Sequence, residues 1–194
     1  MKIIFTVTAL CAVVFSNAST LFSDDFESGN LSAWQTLGSA QIVADPLNAS
    51  NKVVNFTALG SGGNLFSDFF AIPAIGTTTI SFDYLGTTTE LGSNPLDTGG
   101  FLGIDGLLGE NWYFGTGNYP GAFEMTGDDQ WHHYSVVVAN GQNLRVKLED
   151  FAGSDPVAGN AYFDNVTVQS VPEPTTMAAL CLGALAMLRR RKRA

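Results

Sequence analysis

The sequence predicts an all-β fold in which two antiparallel sheets pack as a sandwich. Residues 19–170, the body of the chain, divide into short runs rich in Val, Ile, Thr, Phe and Tyr, with Gly-rich or Asx-rich breaks between them. The body shows no sustained 3.6-residue apolar period, which argues against a long helix. Short strands in this number are typical of a two-sheet sandwich. The predicted strands are 20–26, 39–44, 51–57, 64–72, 77–85, 110–115, 131–139, 143–150 and 160–169.

Two of the breaks carry a more specific prediction. Asn140-Gly141 stands between two strand-like runs, and this dipeptide favours the tight turn of a β-hairpin. Residues 86–109 are rich in glycine, and we predict one long loop there. Long loops of that kind are more often functional or mobile than structural.

Charge is distributed unevenly along the chain. Residues 24–164 hold 17 of the 18 acidic residues but only three of the nine basic ones, Lys52, Arg145 and Lys147, which gives this region a net charge of −14. So acidic a surface repels nucleic acid and anionic lipid, and we expect neither as a partner of the body. It suits calcium ions, neutral sugars or simple solubility.

Residues 1–18 have the pattern of a secretory signal peptide. A lysine precedes a 13-residue apolar run at 3–15, too short to span a bilayer comfortably, and small residues at −3 and −1 predict cleavage after Ala18. We therefore expect the secretion machinery and signal peptidase as partners. The two cysteines, Cys11 and Cys181, both lie outside the body, so the exported body has no disulfide and no thiol nucleophile.

Short segments of the body resemble known sandwich domains. DDFESGNLSAW at 24–34 and AYFDNVTV at 161–168 resemble the first and last strands of carbohydrate-binding-module-like jelly rolls, a group that includes galactose-binding-like and concanavalin-like sandwiches. TISFDYLG at 79–86 and DQWHHYSVVV at 129–138 are also similar to parts of such domains. The resemblance spans nearly all of 20–169 and implies a jelly-roll sandwich.

The same resemblance implies one structural calcium ion where the first and last strands meet. The matching residues are Asp25 or Glu27 near the start and Asp164 near the end. Calcium binds several hard oxygen ligands, and acids from distant parts of the chain can supply them. The alternative, that these are solvated carboxylates at a sheet edge, is equally compatible with the sequence.

The sequence predicts no catalytic residues. His132 and His133 are adjacent on a strand, so their rings point to opposite faces and cannot chelate one ion. No GxSxG motif accompanies them. A glycosidase needs two carboxylates facing each other across a cleft, whereas Glu149 and Asp150 are predicted on opposite faces. We therefore expect the chain not to be an enzyme, with a cryptic glycan hydrolase or lyase as an alternative.

Sugar binding would use exposed aromatic rings as stacking platforms beside polar groups. The candidates are Trp34, Trp112, Tyr113, Tyr119 and Trp131, and we favour Trp112 or Tyr113 together with Tyr119, near the predicted long loop. Strand alternation puts Trp112 and Phe114 on one face of strand 110–115 and Tyr113 on the other. One face must be core, because large aromatic side chains are mostly buried, so only part of this group can meet a ligand.

The chain ends in three ordered features. Residues 171–174 are Val-Pro-Glu-Pro, residues 175–188 are apolar, and residues 189–193 are all basic. A 14-residue helix is about 21 Å long, whereas a hydrocarbon core is about 30 Å thick, so the apolar run would be a poor permanent anchor. The basic tail keeps the C-terminus cytoplasmic and the body outside.

This order resembles the PEP-CTERM sorting signal. Val171, Pro172, Glu173 and Pro174 match its core motif, which the apolar run and the basic tail follow as membrane helix and cytoplasmic end. The resemblance implies a bacterial exosortase, a membrane cysteine transpeptidase, as a partner. It also implies a transient stage in the inner membrane, then release to the envelope, the surface or the extracellular matrix. Such proteins commonly accompany exopolysaccharide production.

The sequence as a whole thus predicts an exported bacterial cell-surface or matrix protein. Its signal peptide is 1–18, its sandwich 19–170 and its sorting signal 171–194. The sandwich is expected to be non-catalytic and to bind polysaccharide. A purely structural or adhesive matrix protein, whose aromatic residues are all core, is the alternative.

Overall fold

The described part of the chain is all β and forms two sheets packed face to face. The computed structural model describes residues 18–38, 40–56, 63–87, 99–107, 109–116, 120–150 and 161–172. These ranges contain no helix, so the predicted all-β class and the two-sheet arrangement are confirmed. The predicted signal peptide up to residue 17 and the predicted membrane helix at 175–188 lie outside the described residues.

The described residues form thirteen strands in the two sheets. The strands are β1 (Ser19–Asp24), β2 (Trp34–Leu37), β3 (Ala40–Ala44), β4 (Lys52–Phe56), β5 (Gly63–Ser67), β6 (Phe70–Ala71), β7 (Thr77–Gly86), β8 (Gly100–Gly106), β9 (Gly109–Gly115), β10 (Phe123–Glu124), β11 (Trp131–Val138), β12 (Asn143–Asp150) and β13 (Ala161–Val171). The first sheet has the order β11-β7-β13-β4-β3, with β1 also on β13. The second has the order β10-β9-β8-β12-β5-β2, with β6 also on β12. Every pair is antiparallel except the two-residue pair of β9 and β10.

The core lies between the sheets and is rich in aromatic rings. Phe82 of the first sheet meets Phe114 of the second with ring centroids 5.2 Å apart. In β12, Leu144, Val146 and Leu148 are fully buried, as strand alternation requires of residues on one face. The intervening residues of β12 therefore point away from the core, and they carry the charges discussed below.

The prediction of a single loop at 86–109 is wrong, because β8 lies within it. Leu102 and Ile104 of this strand are core residues. Its glycines are required by close packing: a Cβ at Gly100 would overlap Cε2 of Tyr84, and one at Gly103 would lie 2.8 Å from Cε3 of Trp112. Glycine in a strand often marks such a close approach, so composition alone misassigned this strand.

The hairpin predicted at Asn140-Gly141 is also wrong, although the tight turn exists. Gly141 has a φ of +72°, but β11 pairs with β7 in the first sheet while β12 belongs to the second. The turn therefore carries the chain from one sheet to the other. The Asn140 side chain donates to the carbonyl of Gly76 at 2.5 Å, which holds the turn on the β6–β7 connection rather than in a hairpin.

Candidate functional site

A β-bulge at Tyr113 decides which aromatic side chains of β9 face outward. Leu102 pairs with Phe114, but the next residue of β8, Gly103, pairs with Trp112. Tyr113 is therefore an extra residue, and it packs partly buried against the core. The prediction that Trp112 and Phe114 share a face is wrong, because a bulge inserts one residue and shifts the alternation. Phe114 is buried, and Trp112 lies on the outer face of the second sheet.

Trp112 of β9 packs over Gly103 of β8, beside Phe101 of β8 and Lys147 of β12. Its indole occupies the space that a Cβ at Gly103 would need. The ring of Phe101 lies edge-on to it, with centroids 5.6 Å apart. Nζ of Lys147 is 4.2 Å from the centre of the indole, a distance at which a cation is attracted by the ring. The indole is partly exposed and held in one position.

Lys147 is the most enclosed charge on this face. Its side chain is only 8% exposed, and Nζ lies 2.7 Å from Oε1 of Glu110 and 3.1 Å from Oε2 of Glu149. Burial raises the pKa of Glu149, while the hydrogen bond and charge of Lys147 oppose that rise. Removal of Lys147 would leave two carboxylates without the cation that they share, whereas removal of one carboxylate would leave Lys147 paired with the other.

Arg145, two residues before Lys147 on β12, is a second cation on this outer face that contacts aromatic rings. Its Nε and Nη2 donate to Oδ2 of Asp105 at 2.9 and 2.7 Å, and Nη1 donates to Oε1 of Gln35 at 3.0 Å. Its guanidinium carbon is 4.0 Å from the ring centre of Phe66 and 4.9 Å from that of Phe69. We name this outer row the outer platform. It consists of Trp112, Lys147, Phe66, Arg145 and Phe69.

The sequence located one of the platform residues and missed the others. Arg145 and Lys147 alternate with the apolar residues of NLRVKLED at 143–150, a period-2 pattern that places them on the outer face. That pattern could have found them. Phe66 has no such signal, because it lies in a run of mixed polarity. Tyr119, predicted beside Trp112, lies outside the described residues.

The three residues expected to bind calcium lie near the meeting of β1 and β13 but have other partners. The Asp25 carboxylate accepts from the amide of Glu27 at 3.2 Å, and the Glu27 carboxylate accepts from the amide of Lys52 at 2.9 Å. Asp164 is buried and accepts from Nδ2 of Asn51 at 2.9 Å. Within the described ranges, no group of three or more His, Cys, Asp or Glu side chains is placed to hold a metal ion. Calcium binding stays a prediction.

The environment of Asp164 opposes its ionisation. Burial raises the pKa of this carboxyl group, and the charges of Asp83 and Glu27 raise it further. Hydrogen bonds from Asn51 and from the amide of Asn165 act in the opposite direction. The carboxylates of Asp83 and Glu27 thus lie close enough to Asp164 to disfavour its charged form.

The two histidines contact separate carboxylates. Nε2 of His132 is 2.7 Å from Asp128, and Nδ1 of His133 is 2.7 Å from Asp83. Adjacent strand residues face opposite ways, so each ring meets a different element. This arrangement agrees with the expectation that the pair does not share one ion.

The sorting motif begins inside the sandwich. Val171 is the last residue of β13 and pairs with Thr77, and Pro172 follows directly. Glu173 and Pro174 lie outside the described residues. In the part of the chain that the structure describes, no helix is long and apolar enough to cross a membrane.

Residues 170–193 match the PEP-CTERM protein-sorting motif. The chain carries a PEP-CTERM sorting signal. The signal implies processing by an exosortase and a secreted envelope protein as the product. A comparison with curated protein sequences gives no significant match.

Solved structures similar to the chain are β-sandwich domains. The CBM22 tandem of Paenibacillus barcinonensis Xyn10C has a TM-score of 0.55 at 15% identity, over 84% of this chain and 48% of that one. The K1 cleaved adhesin domain of Lys-gingipain from Porphyromonas gingivalis has a TM-score of 0.50 at 15% identity, over 78% of this chain and 98% of that one. At these identities the likeness shows a carbohydrate-binding-module-like fold, and one sandwich hosts many functions.

Proposed function

We propose that the sandwich is a non-catalytic module that binds polysaccharide on the outer platform, within an exported protein that an exosortase processes. The observation that carries this proposal is the outward position of Trp112. The bulge at Tyr113 turns the indole away from the core, and its neighbours hold it over Gly103. A fixed, partly exposed aromatic ring provides a flat apolar surface for the C–H face of a sugar, with no further ordering needed on binding.

The polar groups beside the rings suit hydroxyl groups. Gln35, Asp105 and Glu110 contact the two cations of the platform and offer hydrogen-bond acceptors. Both cations of the platform are already paired with carboxylates, so the platform does not present free positive charge. A neutral polysaccharide therefore fits this face better than a strongly acidic one. A row of rings and polar groups across several strands matches an extended chain better than a single sugar.

Glycan hydrolysis is a second candidate, favoured by one observation. Glu110 and Glu149 both contact Nζ of Lys147, which places two carboxylates side by side near Trp112. Burial raises the pKa of Glu149, as expected of a general acid. Binding remains the stronger proposal, because the ammonium of Lys147 occupies the gap that a glycosidic oxygen would need. Release of reducing sugar that is lost in Glu149→Gln would establish hydrolysis instead.

Binding is tested with the mature protein and a panel of soluble polysaccharides, neutral and uronic-acid-containing. We expect Trp112→Ala to weaken binding about tenfold, since loss of one stacked ring is worth about 1.4 kcal/mol. The matched control is Phe123→Ala, which removes an aromatic ring that is 63% exposed on β10, away from the platform. Thermal unfolding of both variants checks that they fold.

Two results would contradict the proposal. Equal affinity of Trp112→Ala and the wild type would show that the platform is not the binding site. Absence of binding to every polysaccharide would favour the structural or adhesive alternative.

A further inference from the structure

The ends of β1 and β13 lie together at one end of the sandwich. Ser19, the first residue of β1, pairs with Ser170, and Val171 pairs with Thr77. The chain therefore enters and leaves the sandwich at neighbouring points. We name this the terminal end, made of those strand ends and of residues 72–76, 106–107 and 139–142.

Backbone contacts join the parts of the terminal end into one surface. The amide of Gly141 donates to the carbonyl of Pro73 at 3.1 Å, and the amide of Ile72 donates to that of Gln142 at 2.7 Å. The main chain of Gly76 approaches Val171 so closely that a Cβ there would lie 2.5 Å from its carbonyl oxygen. The β6–β7 connection, the β11–β12 turn and the sorting motif thus touch one another.

Residues 106–107 belong to the same surface. A Cβ at Gly106 would lie 3.0 Å from the carbonyl oxygen of Asn143, the first residue of β12. Leu107 follows and is 97% exposed. The turn after β8 therefore projects from the terminal end beside the β11–β12 turn.

The terminal end itself is uncharged and apolar, although charged residues border it. None of the residues 72–76, 106–107 and 139–142 is Asp, Glu, Lys or Arg. Asp105 and Glu110 form the cross-strand pair next to Gly106, and each is paired with a cation of β12. Two large apolar side chains are exposed at the terminal end besides Leu107: Ile75 is 57% exposed and Val171 41% exposed. Exposed apolar side chains that are grouped mark an interaction surface more often than single ones do.

The acids of the first sheet lie away from the terminal end. The first sheet pairs Trp131 with Leu85 at one end and Val138 with Thr78 at the other, and Asp128 and Asp129 precede β11 at the former end. Asp83 and Asp164 lie opposite each other inside β7 and β13, and Asp24 pairs with Val166 in the middle of β13. The acids that the structure describes in the first sheet thus lie in its middle and at its far end, not at the end that carries the sorting motif.

We propose that the terminal end is a membrane-docking surface, which rests on the outer face of the bilayer while the C-terminal segment is inserted. This inference rests on the proposed function, namely that residues 175–188 enter the membrane as part of the sorting signal. Three residue steps separate Pro172 from Thr175, and an extended chain covers at most about 3.6 Å per residue. The terminal end therefore lies within about 11 Å of the start of the apolar segment.

Membrane physics favours the same orientation. Exposed Leu and Ile side chains gain free energy by entering the boundary between headgroups and acyl chains. Anionic headgroups repel the acids in the middle and at the far end of the first sheet and leave the terminal end to face them. Docking would also present the motif to a membrane-embedded processing enzyme at a fixed height, since Val171 is held in the sheet by Thr77.

The test uses the full chain in vesicles of phosphatidylethanolamine with a minority of phosphatidylglycerol. Both native cysteines are changed to serine, and single labelling sites are introduced as Leu107→Cys, Ile75→Cys and, for control, Leu47→Cys. Leu47 is as exposed as Ile75, at 57%, but lies beside Asp45 in the β3–β4 connection, outside the terminal end. An environment-sensitive fluorophore at each site is quenched by lipids with brominated acyl chains.

We expect quenching about twofold or more stronger at positions 107 and 75 than at position 47, because docked side chains reach the acyl boundary. Equal quenching at the three sites, in a chain that floats with the vesicles, would overturn docking while leaving insertion intact. A chain that does not float with the vesicles would overturn insertion of the sorting segment, and docking with it. Thermal unfolding of each variant confirms that the sandwich is folded.

Discussion

Asp164 illustrates how one buried carboxylate links pH to stability. Its pKa is raised in the folded protein, chiefly by burial. A carboxyl group with a raised folded pKa stabilises the fold most at low pH, where it is protonated, and this contribution is lost as the pH rises through the folded pKa. At neutral pH the charged form of Asp164 therefore destabilises the folded state. The hydrogen bonds from Asn51 and Asn165 offset only part of this cost in free energy.

Replacement of Asp164 by asparagine should remove that pH dependence. The substituted side chain is isosteric, and its amide oxygen can still accept from the backbone N–H of Asn165. We expect the free energy of unfolding of the wild type, relative to Asp164→Asn, to fall as the pH rises from about 4 to about 7. Urea unfolding at several pH values in the presence of a chelator measures this difference. A constant difference, or one that grows with pH, would contradict the assignment.

Calcium addition distinguishes two interpretations of Asp164, as a calcium ligand or as a carboxylate that binds no metal. If Asp25, Glu27 and Asp164 bind the predicted ion, calcium should raise the melting temperature of the wild type, since a ligand that binds only the folded state stabilises it. Asp164→Asn should respond much less. An equal response of the two proteins, or none, would show that these carboxylates do not form a calcium site.

Trp112 shows what strand alternation can and cannot predict at the level of one residue. The sequence singled out this tryptophan as a candidate for ligand contact, and its outward position carries the proposal of polysaccharide binding. It placed Trp112 and Phe114 on one face, because alternation holds only while the register is unbroken. The bulge at Tyr113 arises from pairing with β8, a strand that local sequence did not reveal. Pairing with a strand that the local sequence did not reveal therefore determines which side chains of β9 face outward.

At the level of elements, β8 depends on glycine for its place in the second sheet. We expect Gly100→Ala to destabilise the protein by about 1–3 kcal/mol, because the new Cβ would overlap the ring of buried Tyr84. The cost should shrink by about 1 kcal/mol or more when Tyr84 is also changed to Leu, as residues in direct contact are coupled. Chemical unfolding of the four proteins of this cycle measures the coupling. Additive effects would contradict the packing described for β8.

The turn at Asn140-Gly141 shows that local sequence predicts a tight turn but not which strands the turn connects. Its local chemistry was predicted correctly, since Gly141 adopts a positive φ. Its role was not, because a tight turn can join two strands of one sheet or pass between two sheets. The choice depends on the distant partners Pro73 and Gly76, which no local pattern identifies. Strand positions were thus largely predictable, and strand partners were not.

At the level of the whole molecule, the chain combines a two-sheet sandwich with a sorting signal that starts in its last strand. The all-β class followed from composition and turn residues, and the signal followed from three ordered features at residues 171–193. The outer platform could be predicted only in part, because Phe66, Arg145 and Trp112 come together through three strands that are far apart in sequence.

Intact-mass analysis of the mature protein from its native host tests the central claim most directly. Export and exosortase processing predict a mass that begins at Ser19 and lacks the five basic residues at 189–193, through cleavage near 171–174. A mature protein that retains residues 189–193 would contradict the account.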